Sequence, residues 1–282
     1  MKTFILSITL TIAASLLQAQ DLQPWKINLP AGVRLQVQTK SSASIAQEAM
    51  GQNMEMQNLT EVTEKIQLKA NDNQTVGLEK QITAMRMEMS MMGQEMKFDS
   101  NNPDAFNSPI GMQIKPMLER TVTASIDAAG NIIVSSSPVD DPNISAALGM
   151  FGNEVPDSLA LAGLFMKPPA QTIQPGASWT EIYHADGMKQ ETKYTYLETK
   201  DQLASIAFEI NSTIEKTAEM QGTTLTTNTK TQSKGILKLE LGTGMVVSRV
   251  LEQTVEGTNN VMGMEIPLKG GGKTEITVSR LN

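Results

Sequence analysis

Apolar and polar residues alternate with a period of two over much of the chain. This is the spacing of strands with one covered and one wet face. Val33 to Gln38 reads this way, and so does Thr121 to Asp127. The second run is followed by Ala128-Ala129-Gly130-Asn131 and then Ile132-Ile133-Val134, which predicts a hairpin. Ile236 to Leu241, Gly242-Thr243-Gly244 and Met245-Val246-Val247 predict another. Glu275 to Val278 reads as a last strand after a turn at Gly270-Gly271-Gly272. Threonine is dense from Thr213 to Thr231, as suits strand faces open to water.

From Asp141 to Met166 the period becomes helical. Asp141 can cap a helix whose first position is Pro142, and Ile144, Ala147, Leu148 and Phe151 then share a stripe. Pro156-Asp157-Ser158 opens a second short helix carrying Leu159, Leu161, Leu164 and Phe165, which Pro168-Pro169 stops. The chain therefore divides into an N-terminal β half (20–137), a helical insert (138–170) and a C-terminal β half (171–282). Each half carries a strand–Gly-turn–strand unit, which reads as a weak duplication or as the ordinary punctuation of antiparallel proteins. The expected fold class is mainly β: antiparallel curved sheet or sheets from two similar halves, with a short helical insert packed on them.

The most unusual stretch is Met85-Arg86-Met87-Glu88-Met89-Ser90-Met91. On a strand, Met85, Met87, Met89 and Met91 line one face while Arg86, Glu88 and Ser90 line the other. Met54 and Met56 repeat the spacing, as do Met262 and Met264. A helix would instead align Ile82, Met85, Met89, Met92 and Met96. Gly93-Gln94, offering a hairpin turn, and renewed alternation after Lys97 favour the strand. Such a stripe can be ordinary core, a repackable apolar surface for lipid tails or hydrophobic peptides, a Cu(I) site of thioethers, or an oxidant scavenger.

Composition narrows the chemistry. The chain has 282 residues, no cysteine, one histidine, 19 methionines and a net charge of −7. Thiolate nucleophiles, disulfides and Cys-ligated metals are excluded, and so are multi-His metal sites. The acidity argues against nucleic acid as the main partner. Met1 to Ala19 reads as a signal peptide: Lys2 gives the positive start, Phe4 to Leu17 the apolar run, and Ala19 the cleavage residue. No lipid-attachment cysteine follows, and no later stretch is long and apolar enough to span a bilayer. The expected location is the periplasm or outside the cell.

No catalytic constellation emerges. His184 ends a strand with no nucleophile elbow to serve. Gly271-Gly272-Lys273-Thr274 imitates a phosphate loop, but Pro267 stands where the first glycine belongs. Gly242-Thr243-Gly244 has Val247 where a dinucleotide fingerprint needs its third glycine. Asp99 to Asp104 lacks the bidentate Glu of a calcium loop and reads as a solvated turn. The expectation is a non-enzyme without cofactor or resident metal.

Leu164 to Pro169 followed by Gln174-Pro175-Gly176-Ala177-Ser178-Trp179, with Asp99-Ser100 and the hairpin from Asp127 to Ile132, resembles a family of secreted Bacteroidetes-type proteins of unknown function. The resemblance implies a β-rich exported protein and carries over no catalytic residue. A weaker architectural analogy is to lipoprotein-carrier-like periplasmic proteins, whose curved sheet is covered by short helices. The functional expectation is a hydrophobic groove made by Met54, Met56, Met85, Met87, Met89 and Met91 together with Leu161, Leu164 and Phe165. It would bind a lipid, another hydrophobic ligand or a cell-envelope protein. The alternatives are a structural or surface-interaction protein whose methionines are core, and periplasmic Cu(I) binding.

Overall fold

A computed structural model describes residues 21–49, 52–70, 75–91, 93–127, 129–136, 161, 163–185, 187–220, 223–261 and 263–281. The expected signal peptide, and most of the expected helical insert, lie outside these residues. Twelve strands form one antiparallel sheet. The first six are β1 (Arg34–Ala49), β2 (Gln52–Ala70), β3 (Val76–Met91), β4 (Gln94–Asp99), β5 (Thr121–Ile126) and β6 (Ile132–Ser136). The others are β7 (Ser178–Ala185), β8 (Met188–Lys200), β9 (Leu203–Met220), β10 (Thr223–Glu240), β11 (Met245–Val261) and β12 (Met264–Leu281). The spatial order is β6-β5-β3-β2-β1-β12-β11-β10-β9-β8-β7, with β4 also paired to β3. Each half thus supplies six strands to a single open sheet, and the halves meet at the β1–β12 pair.

Paired residues of an antiparallel ladder share a face. One face, here the core face, carries Leu35, Val37, Ile66, Leu68, Leu78, Ile126, Tyr196, Ile206, Phe208, Leu237 and Leu239, all buried. These cluster at one end of the long strands. There they are covered by residues 21–33 and 161–173, which are stitched together by the Leu22–Ile173 bridge and by Trp25 Nε1 donating to the Met166 carbonyl at 2.9 Å. The opposite half of the strands runs on beyond this cover as a long, mostly polar extension.

Two sequence expectations change. Gly270-Gly271-Gly272 is no turn but the interior of β12, between β1 and β11. A Cβ at Gly270 would lie 2.4 Å from the Ser44 carbonyl oxygen, and one at Gly272 2.4 Å from that of Ser42. The glycines serve close strand approach, not reversal. The second change is an addition, a helix, α1 (Pro109–Leu118), preceded by a short 3-10 turn (Pro103–Asn107) and lying beyond the exposed turn expected over Asp99–Asp104. Ser108 caps it by accepting from the Gly111 N–H at 3.0 Å, and Pro109 takes the first helical position. Gly111 and Pro116 weaken its sequence signal. The hairpin at 127–131 forms as expected: Asp127 Oδ1 accepts from the Ala129 and Asn131 N–H groups.

Candidate functional site

The methionines lie on a strand, β3, and on its core face, and a β-bulge puts them there. Leu78 and Ile82, at even positions, face the core side opposite Leu68 and Glu64. The register then slips, so that Thr63 faces Ala84 and Thr83 is left unpaired. The extra residue reverses the phase, and Met85, Met87, Met89 and Met91 follow on the same side, opposite Val62, Thr60, Asn58 and Met56. Without the bulge they would face outward.

The stripe is not uniform. Met85, Met87 and Met89 are buried, Met54 and Met56 are half-buried, and Met91 is 42% exposed. Met85 and Met87 form a small cluster with Phe98 of β4 and Ile114 of α1, into which Phe106 packs edge-on to Phe98. Leu161, Leu164 and Phe165 are also buried, but they belong to the main cluster with Trp25, Leu239 and Met245. Among the described residues the two sets therefore do not enclose one groove: α1, not Leu161, Leu164 or Phe165, covers Met85 and Met87.

Charge is sorted between the faces. Beyond the Glu64–Lys80 ion pair (3.1 Å), the described core-face side chains of β1–β4 and β8–β12 are uncharged as far as Leu251 of β11 and Phe208 of β9. They include Ala43, Ile45, Met54, Met56, Val62, Ile210, Val255 and Ile276, interspersed with Ser, Thr, Asn and Gln. The outer face carries Lys40, Glu61, Arg86, Glu88, Lys273 and Glu275, much of it in exposed ion pairs such as Lys40–Glu61 at 2.9 Å. An open trough of about 560 Å³ lies on this outer side, lined by Ser42, Ser44, Gln57, Leu59, Glu88 and Lys273. Its charged lining is the wrong surface for an apolar ligand.

A second group on the core face escaped the sequence reading. Trp179 (β7), Tyr194 (β8) and Phe208 (β9) face one another across successive strands. Trp179 stacks on Tyr194 with ring centroids 5.2 Å apart, and the Arg249 guanidinium of β11 sits 4.5 Å from the Phe208 ring centroid. Gly235 of β10 lies between: a Cβ there would meet Phe208 Cζ at 2.7 Å. Arg249 faces inward through another bulge. Leu239 pairs with Val246 but Lys238 with Ser248, leaving Val247 unpaired and turning Arg249 to the core face opposite Leu237. Trp179 Nε1 and Arg249 Nε are buried donors with no acceptor. Burial holds the Tyr194 hydroxyl up at about 12, with Glu181 as the second cause. Burial likewise raises the Glu181 carboxyl and lowers Arg249. Only the phase of Arg249 with Leu251 and Val255 could have flagged it in sequence.

Among the described residues no group of three His, Cys, Asp or Glu side chains could hold a metal, and His184 is exposed on β7. Among the described residues no helix is long and apolar enough to cross a membrane. No family model and no curated protein matches the chain. The fold is similar to that in a structure of lipid–protein interactions in lipovitellin, with TM-score 0.52 and 12% identity over 89% of this chain and 25% of that one. The chain thus spans about a quarter of that molecule. It also aligns loosely with an outer membrane channel from Pseudomonas putida F1, with TM-score 0.26 and 6% identity over 89% of this chain and 97% of that one.

Proposed function

We propose that the chain is an exported, non-catalytic protein that binds an apolar ligand on the core face of its sheet. The observation that carries this is the sorting of charge: past the Glu64–Lys80 pair and the segments that cover the core, the described side chains on this face of β1–β4 and β8–β12 are uncharged as far as Leu251 and Phe208. A face of Met, Ile, Val, Ala and Thr offers dispersion contacts to a hydrocarbon of any shape, and unbranched thioethers adapt to it. The likeness of the sheet to lipovitellin, whose structure concerns lipid–protein interactions, supports this reading. In this assignment Met54, Met56 and Met91 offer contact surface, whereas Met85 and Met87 hold α1 to the sheet. An envelope protein presenting an apolar segment would use the same face.

The test is titration with a neutral environment-sensitive dye such as Nile red, with lipid extraction of protein purified from an exporting host. Saturable enhancement of the dye, and lipid in the extract, are expected. Protein that purifies empty and leaves the dye dark removes the proposal. A second reading, in which the methionines are purely structural, is favoured by the packing of Met85 and Met87 beneath α1.

A further inference from the structure

On a face whose other charges, Glu64 with Lys80 on β2 and β3, Glu181 on β7 and Arg280 on β12, lie towards its margins, Arg249 is a guanidinium with no carboxylate partner among the described residues. Arg249 faces inward in phase with Leu251 and Val255, and the bulge at Val247 reconciles that phase with Val246 opposite Leu239; strict alternation counted from Val246 would instead bring Ser248 inward and Arg249 to water. Its Nε is buried with no acceptor, and Phe208 covers one side of its plane. The one ionisable neighbour that acts on it is the Tyr194 hydroxyl. The Glu181 carboxylate, on β7 opposite Thr192, makes no ion pair with Arg249, and Lys167 is the cation that acts on it. A half-buried cation whose Nε is buried without an acceptor, and which has no counter-charge among the described residues, is a site suited to an anion that arrives from outside.

We propose that Arg249 is the head-group site for a long-chain carboxylate. One carboxylate oxygen accepts from the Arg249 guanidinium, and Phe208 and Tyr194 wall the first carbons. The hydrocarbon tail runs along the uncharged core face past Leu251 and Val255. The alternating Met, Ile and Thr positions hold the tail, and the bulge at Val247 fixes where its charged end stops. This deepens the apolar-ligand reading above and rests on it. Charge complementarity singles out the acid: a neutral lipid would leave the guanidinium as uncompensated as it is in the free protein.

The experiment is displacement of Nile red from the full chain by palmitate, by methyl palmitate and by acetate, repeated with Arg249→Met and Arg249→Lys. Palmitate is expected to compete about ten-fold more tightly than its methyl ester, the scale of one charge-assisted hydrogen bond. Acetate, lacking a tail, is expected not to compete. Arg249→Met should bring acid and ester together without weakening the ester, and Arg249→Lys should keep part of the preference. Equal competition by acid and ester in the unsubstituted protein overturns the head-group site and leaves the apolar-ligand reading standing. A preference that survives Arg249→Met overturns the assignment to Arg249. Failure of Nile red and both long-chain ligands to bind overturns the broader reading, and this one with it.

Discussion

Replacing Met87 by alanine separates core from contact surface within one stripe. Met87 is 1% exposed, sits opposite Thr60 on one side and Phe98 on the other, and shares its cluster with Ile114 of α1. Truncation removes the two carbons and the sulfur beyond Cβ. At ~0.8 kcal/mol per buried methylene, the transfer loss is about 2 kcal/mol. The void left between a strand and a helix that can only partly collapse raises the total to about 2–4 kcal/mol. Met91, 42% exposed on the same face, should cost under about 0.5 kcal/mol when truncated. Met87→Leu, which nearly keeps the volume, should cost less than about 1.5 kcal/mol. Urea midpoints at constant m measure the three costs, and amide exchange over 109–118 reports whether α1 loosens with Met87→Ala. If Met87→Ala and Met91→Ala shift the midpoint equally, or if α1 protection is untouched, then Met87 does not clamp the helix and the division of the stripe is wrong.

Gly235→Ala would place a Cβ 2.0 Å from the Val250 carbonyl oxygen and 2.9 Å from Leu251 Cα, both backbone of β11. The strands must part, so a loss of about 1–3 kcal/mol or more and an altered near-UV aromatic signal are expected; unchanged thermal stability refutes the close approach. Ser108→Ala removes the cap of α1 and should cost about 1 kcal/mol, read as faster amide exchange at the start of the helix. The Tyr194 hydroxyl titrates at about 12 in the folded chain against an ordinary 10.0. The folded state therefore holds a proton that the unfolded state releases. Stability is complete below pH 10 and falls by about 2 kcal/mol by pH 12, a slope that Tyr194→Phe should remove.

Much of the sheet was legible because period-two alternation reports which side of a strand is covered, whatever its partners are. The hairpins at 127–131 and 242–244 and the extended run of Met85 to Met91 all follow from that rule. The places where the chain departs from strict alternation were not legible. Thr83 and Val247 are β-branched residues at home in any strand, so nothing in their identity marks a bulge, yet each decides which way the next side chains point. Gly270 to Gly272 carry the composition of a turn, and only the neighbouring carbonyls of β1 explain them as strand interior. The short helix after Ser108 was hidden by its own glycine and proline. The residues proposed to bind fell into two clusters because shared hydrophobicity says nothing about which core a side chain joins. The aromatic row ending at Arg249 joins single residues of the successive strands β7, β8 and β9 to one of β11, and no local pattern spans such separations.

The junction of the two halves has a kinetic consequence. Residue 34 of β1 lies opposite residue 281 of β12, so the central pair of the sheet joins the first long strand to the last. A ribosome or an export channel delivers β1 well before its neighbour, and in the interval that strand has one bare row of amides and carbonyls. Closing so large a loop makes assembly slow. Until β12 arrives, the charged side chains of β1, Lys40 among them, are what keep that margin from recruiting a stranger.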